Sequence, residues 1–206
     1  MKALVIIGHP AQHSFNAALA DHIVLAWQQA GIDVTLHNLA AENFDPRLTP
    51  AEARGAPSDD PQVQQHIIDL TSADLLAVVH PVMWGMPPAI LKGWIDRVFA
   101  LNAAYGFAQG QAEGTDPIGL LPLRAALILN TSNTPPAREA ARFGDPLDRI
   151  WRDCILGYCS AAQITRHTFA PLVPSTDATR AAWLAQASAL AQSVLAQGTL
   201  IQTQRP

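Results

Sequence analysis

The stretch DLLAVVHPVMWGMPPAILKGWIDRVFAL, residues 74–101, decides the fold of this 206-residue chain. Its opening, residues 74–80, is almost unbroken in apolar residues, as a strand covered on both faces of a parallel sheet must be. Residues 88–101 place apolar side chains at helical spacing, with Pro88 near the first turn, where a missing N–H costs nothing. Between them runs HPVMWGMPP, residues 80–88. Trp84 stands there among Pro81, Met83, Met86, Pro87 and Pro88, with almost no charged or small polar neighbours. Prolines stiffen such a loop, and flat apolar side chains suit an aromatic ligand. The competing reading is a buried connection packed against neighbouring helices.

The same strand–loop–helix grammar extends outward in both directions. Residues 3–7 form a first apolar strand, and Ser14 caps a helix whose Phe15, Leu19, Ile23, Ala26 and Trp27 share a face, with Gly31 as its stop. Residues 33–39 alternate as a second strand. Residues 43–61 form an irregular excursion with one short helix at most, and residues 64–70 are helical. Residues 104–121 hold four glycines and form a long loop. Residues 125–130 and 163–169 supply the fourth and fifth strands. A helix over 145–158 starts from Asp145 as N-cap, and a last helix over 176–196 is capped by Thr176 or Ser175. Strands separated by helices predict a doubly wound parallel sheet with helices on both faces. No repeat, linker or composition break divides residues 1–206, so one domain is expected.

Composition excludes several classes of function. A formal net charge of −4 and no Lys/Arg cluster argue against nucleic acid as partner. The longest apolar runs are too short to span a bilayer, so no membrane insertion is expected. Residues 1–7 run into Gly8-His9-Pro10 without a cleavage site and read as a strand, not a signal peptide. The two cysteines, Cys154 and Cys159, form neither a disulfide framework nor a metal-ligand pattern, so a cytoplasmic location and no metal are expected. Both read as buried thiols on a helix. Trp94 and Trp151 read as core, and His167 as a satisfied strand residue.

Ligands in open parallel sheets bind beyond the carboxyl ends of the strands, where strand order reverses. Three loops leave strand ends with unusual content: residues 8–16, 80–88 and 130–136. The first has no glycine-rich dinucleotide fingerprint and no GKS or GKT phosphate loop. It does open a helix whose first N–H groups attract phosphate, with Ser14 and Asn16 as further donors and His9 within reach. Ser14 as a plain cap and His9 as a loop residue remain the alternative. The third loop, NTSNTPP, offers hydroxyls and amides for the rim of a heterocycle, or an ordinary turn.

HPAQHSFN (residues 9–16), PAILKGWIDRVF (88–99) and GDPLDRIWRDCILGYC (144–159) resemble the flavodoxin-like NAD(P)H:quinone reductase family, the DT-diaphorase-like group. The resemblance implies a flavodoxin-like, doubly wound, five-stranded parallel sheet of order 2-1-3-4-5, and a homodimer with the flavin at its interface. FAD is the expected cofactor, with FMN as the alternative and NAD(P)H as co-substrate. Hydride would pass from NAD(P)H through the flavin to a quinone or similar electrophile, by turns at one site.

By that likeness His9, Ser14, Phe15 and Asn16 would lie on the phosphates and adenosine side. Pro81, Val82, Met83, Trp84 and Gly85 would line the flavin ring, with Trp84 and Gly85 at its reacting face. Thr131, Ser132 and Asn133 would meet the pyrimidine edge, and Arg180 the adenosine. This chain departs from the family with Gly85 in place of an aromatic and with Asn130-Thr131-Ser132-Asn133 in place of Thr-Thr-Gly-Gly. The family's Tyr and His beside the flavin lack counterparts; Phe143 falls near the His, and His80, His13 and Arg138 are possible substitutes. The loop over residues 104–121 would shape the substrate mouth. A single-electron flavodoxin-type carrier and a flavin-binding regulatory subunit of a transporter are the competing functions; the first loop and the modest charge disfavour the carrier.

Overall fold

The computed structural model describes residues 1–108, 116–160 and 162–204. Its strands are β1 (Lys2–Ile7), β2 (Asp33–Asn38), β3 (Leu75–Pro81), the two-residue β4 (Tyr105–Gly106) and β5 (Ile118–Gly119), β6 (Ala125–Thr131) and β7 (Gln163–Phe169). Five of them form one sheet in the order β2-β1-β3-β6-β7, every pair parallel. This is the expected 2-1-3-4-5 order, with its reversal between β1 and β3. The helices are α1 (Phe15–Gln29), α2 (Pro61–Ser72), α3 (Ala89–Val98), α4 (Pro136–Phe143), α5 (Pro146–Arg149), α6 (Gly157–Cys159) and α7 (Asp177–Gln204).

The two-residue period of the strands divides the core into two layers. Leu4, Ile6, Leu76, Val78, Ala126 and Ile128 face α2, α3 and the π-helical turns at Ile150–Leu156. Val5, Ile7, Ala77, Val79, Leu127 and Leu129 face α1 and α7. Each fully buried aliphatic side chain contributes about 1.5–3 kcal/mol of transfer free energy, so the central strands tolerate no shift of register. Trp94 and Trp151 are both buried in the first layer.

Helix boundaries follow local chemistry. The Ala17 amide donates to Ser14 Oγ at 3.1 Å, and α1 stops before Gly31, whose φ of +79° ends it. Helix α2 begins earlier than its apolar pattern suggests, because the Asp60 carboxylate caps the Gln62 amide and Pro61 occupies the first turn. Pro88 caps α3 instead of lying inside it, and the helix ends at Val98. Thr176 Oγ1 accepts the Thr179 amide, which identifies the cap of α7.

The expected helix over 145–158 is instead broken into α5, the π turns and α6. Asp145 makes no capping bond; its φ is +46° and its carboxylate pairs with Arg166 at 2.7 Å. A buried guanidinium has the stronger claim on that carboxylate than a helix end open to water. Helix α4, unforeseen, buries none of its residues. Cys159 is buried as expected, but Cys154, within the π turns, is exposed. Part of the expected loop over 104–121, residues 109–115, lies outside the described residues; the flanking residues pair as β4 and β5. Among the described residues no helix is long and apolar enough to cross a membrane.

At the edge of the sheet His37 on β2 lies between Glu42 Oε1 (3.0 Å) and Asp69 Oδ2 (2.8 Å). Burial alone would lower the His37 pKa, but the two carboxylate hydrogen bonds outweigh it and raise it above the ordinary 6.5. The folded value therefore exceeds the unfolded one. The stabilisation is complete below pH 6.5 and is lost as pH rises through the folded value. His37→Gln is expected to cost about 1 kcal/mol at pH 6 and distinctly less at pH 9, read from urea denaturation at both pH values. An equal loss at both would show that charge plays no part.

Candidate functional site

Because β1, β3 and β6 are neighbours, the loops that follow them converge at one end of the sheet. In the first loop the Gly8 amide donates to Val79 O at 2.9 Å, and a Cβ at Gly8 would lie 2.7 Å from Leu91 Cβ, so only glycine lets the loop pass α3 this closely. His9 Nδ1 lies 3.0 Å from the Ala11 amide and 3.2 Å from the Ala11 carbonyl oxygen, so the backbone of Ala11 engages this nitrogen and leaves Nε2 without a partner in the loop. His9 is half-buried, and Ser14 caps α1 while keeping its hydroxyl proton for a further acceptor. Asn16 is buried. Its Oδ1 accepts from Thr131 Oγ1 at 3.0 Å, which ties the first loop to the third, and its Nδ2 has no partner. Phe15 packs its ring against Trp183 of α7, 6.0 Å between centroids.

The second loop is a tight two-residue turn. Met83 and Met86 exchange both backbone hydrogen bonds at 3.0 Å, and Trp84 (φ +54°) and Gly85 (φ +73°) form its centre. Two successive positive φ values are those of a type I′ turn, which favours glycine and strains a bulky residue. Gly85 thus has a backbone reason, and the aromatic expected of the family at this position would be strained. The side chain of Trp84 at the tip is fully exposed, with Met83 and Met86 half-exposed beside it. The buried-connection reading of this loop does not hold. Pro81 and Val82 are half-buried, and the Val82 amide donates to Thr131 O at 2.8 Å.

In the third loop Thr131 is buried, Ser132 half-buried and Asn133 exposed. A fourth loop, residues 170–176, was not foreseen and completes the rim. Its Leu172 amide donates to Ser132 O and its Val173 amide to Asn133 Oδ1, both at 2.9 Å. Arg180 holds this loop in turn, donating through Nε to Ser175 Oγ at 2.9 Å. Arg180 therefore meets the site through the loop that it supports.

Beneath the loops lies a hydrogen-bonded chain whose direction is set at both ends by groups that can only donate. Arg166 Nε donates to Asn130 Oδ1 at 2.8 Å, so Asn130 Nδ2 must turn toward His80 Nε2, 2.9 Å away. The Trp151 indole donates to the same nitrogen at 3.1 Å. His80 Nε2 is therefore an acceptor, and its Nδ1–H donates to Pro81 O at 2.8 Å. Complete burial, with the nearby Arg166 charge adding, lowers the His80 pKa to about 4, so the ring is neutral near pH 7. His80 is thus a buried structural group and no proton donor to a ligand, whereas His13, Arg138 and Phe143 are all exposed. The sequence carried one signal for this chain that went unread: an arginine in the middle of the strand QITRHTF. A small crevice of about 30 Å³ between Val82, Ser132, Asp145 and Arg166 adjoins it.

Elsewhere His37, Glu42 and His66 approach one another closely enough to share a metal ion. Trp94 Nε1, however, donates to His66 Nδ1 at 2.9 Å, so a neutral His66 carries its proton on Nε2, the atom facing Glu42. The nitrogen that a metal would need is a donor, and the cluster works as a hydrogen-bonded clasp between β2, α2 and α3.

The residues at the loops fit a flavin. Asn16 Nδ2 is an unpartnered buried donor, and His9 and the N-terminus of α1 lie on the same loop. Trp84, Met83 and Met86 present an apolar surface of ring size. Gly85→Val is expected to destabilise the fold by about 1–2 kcal/mol in urea, since it adds a β-branched side chain at positive φ. Its Cβ would also meet Pro146 Cγ at 3.2 Å, and unchanged stability would contradict the turn described.

Comparison with known proteins agrees with this architecture. A family model described as "Flavodoxin-like fold" matches residues 1–193. An uncharacterized NAD(P)H oxidoreductase of Haemophilus influenzae is 30% identical over 207 residues, covering 95% of this chain and 96% of that protein. NAD(P)H dehydrogenase [quinone] 1 of Cavia porcellus is 32% identical over 126 residues, which span 52% of this chain and 46%, about half, of that relative. The structure of an NAD(P)H:quinone oxidoreductase from Methanothermobacter marburgensis superposes with a TM-score of 0.79 at 22% identity, over 93% of this chain and 97% of that one, and shares its fold. With the sheet order, the converging loops and an end-to-end relative all in agreement, this chain belongs to the flavodoxin-like family of NAD(P)H oxidoreductases and quinone reductases.

Proposed function

We propose that the chain is a flavin-dependent NAD(P)H oxidoreductase that reduces quinones or similar electrophiles, with both substrates using the same face in turn. The observation that carries this reading is Trp84, a bulky residue held at φ +54° with its side chain fully in solvent. Strain of this kind persists where it serves a site, and no packing inside the protomer repays it. Support comes also from the oxidoreductase and quinone dehydrogenase named among the relatives. A flavin bound there would supply the two-electron chemistry, accepting hydride from NAD(P)H and passing it to the acceptor.

The chain's own part is to bind, orient and shield. Asn16 Nδ2, a ring N–H of His9 and the first amides of α1 would bind phosphate oxygens. Trp84, with Met83 and Met86, would cover an apolar ring face and exclude water from it. Amide and hydroxyl groups of Ser132 and Asn133 are uncharged donors for the polar rim. We favour FAD over FMN on the likeness of the SFN helix start and Arg180 to FAD-binding members. A homodimer is the assembly we expect, since the exposed apolar turn is suited to cover by a second copy.

Trp84→Ala separates this reading from a packing role. Because the side chain is exposed, thermal unfolding should shift by no more than about 0.5 kcal/mol in equivalent stability. The dissociation constant for FAD, measured by quenching of flavin fluorescence, should rise about tenfold or more. Unchanged affinity together with lost stability would return Trp84 to a structural role.

A further inference from the structure

The turn that carries Trp84 is held at its root by a buried chain of side chains that also runs to the residue beside its tip. At its root, His80 Nδ1–H donates to Pro81 O at 2.8 Å. At its tip, Gly85 lies beside Pro146, the first residue of α5, close enough that an added Cβ would come within 3.2 Å of Pro146 Cγ. Pro146 follows Asp145, whose carboxylate is bound by Arg166 Nη1 at 2.7 Å. Arg166 Nε in turn donates to Asn130, and Asn130 to His80. Hydrogen bonds therefore run from the root through Pro81, His80, Asn130, Arg166 and Asp145, and the next residue, Pro146, lies beside Gly85.

We propose that His80, Asn130, Arg166 and Trp151 are positioning residues that form a brace around the 81–86 turn, fixing its height above the sheet and thereby the seat on which the flavin rests. Its consequence for the cofactor rests on the flavin reading given above. The brace itself does not. Every member is committed to one orientation, because Arg166 and Trp151 can only donate and His80 is left with a single acceptor to serve. The Arg166 side chain is 7% exposed, and its charge is met by Asp145 and, at 3.5 Å, Asp148. Such an ion pair in a buried chain is weak evidence for stability but is well suited to specifying one geometry. The π turns at Ile150–Leu156 belong to the same device, since they carry the Trp151 indole to His80. A π turn at a functional site is a recurrent arrangement. None of the four residues needs to touch the cofactor.

Arg166→Lys tests the brace with charge retained, since an ammonium lacks the rigid fork that serves Asn130 and Asp145 together. Trp151→Phe is the second variant should Arg166→Lys fail to fold; it removes the indole donor along with part of a buried ring, and β1 exchange reports any general loosening of the core. Amide hydrogen exchange is read on the flavin-free protein at Val82, Met83 and Met86, whose N–H groups are bonded within the turn and to Thr131. The expected result is exchange about tenfold faster at these amides, with β1 amides within about twofold of wild type. FAD titration of the same variants should give a dissociation constant raised about tenfold. Exchange unchanged in the turn, or accelerated equally in β1, would overturn the proposal. A wild-type protein that takes up no flavin would overturn the functional reading instead, and leave the brace to be judged on exchange alone.

Discussion

A neutral imidazole, fully buried where the third sheet strand ends, is the constraint on which the functional end of this molecule depends. His80 can be accommodated without water only if each of its nitrogens has a partner of the correct polarity. Two donor-only groups, the Trp151 indole and the Arg166 guanidinium acting through Asn130, fix one nitrogen as acceptor, and the backbone of Pro81 takes the proton of the other. Reversing any one of these bonds would leave a buried group unpaired, at a cost of about 1–3 kcal/mol. The arrangement links β3, β6, β7 and the π turns before any ligand is present.

From that anchored end the loops inherit their positions. Neighbouring strands β1, β3 and β6 send their loops to the same edge, and cross-loop bonds such as Thr131 to Asn16 and Val82 to Thr131 hold them together. The strained turn at Trp84 is closed by the pairing of its two Met residues and fixed at its root by His80. Rigid placement of this kind would let uncharged donors and one aromatic ring hold the proposed cofactor.

The strands and the two-layer plan were legible in the sequence because they rest on apolar runs, and burial on both faces leaves no other reading of residues 3–7 or 74–80. The gathering of three loops followed from strand order. What was not legible rested on competition between distant groups. Asp145 carries every mark of a helix cap, yet its carboxylate goes to Arg166, a residue 21 positions away. Helix α4 sets Ala137, Ala140 and Ala141 on one face and Arg138, Glu139 and Arg142 on the other, yet it is only eight residues long and buries none of them. Cys154 and Cys159 are five apart and so point to different helix faces, but which face meets solvent depends on how distant elements pack. Trp84 had two readings from composition alone, and only the positive φ of the turn decides that it points to solvent.

The central claim is a flavin on the turn at Trp84, reduced by NAD(P)H. Its most direct test is the absorption spectrum of the purified protein, supplied with FAD or FMN, before and after anaerobic NADPH and then after a quinone, with mass analysis of the released cofactor. A bound flavin spectrum that bleaches with NADPH and returns with the quinone is the predicted result. A protein that binds neither flavin would contradict the account.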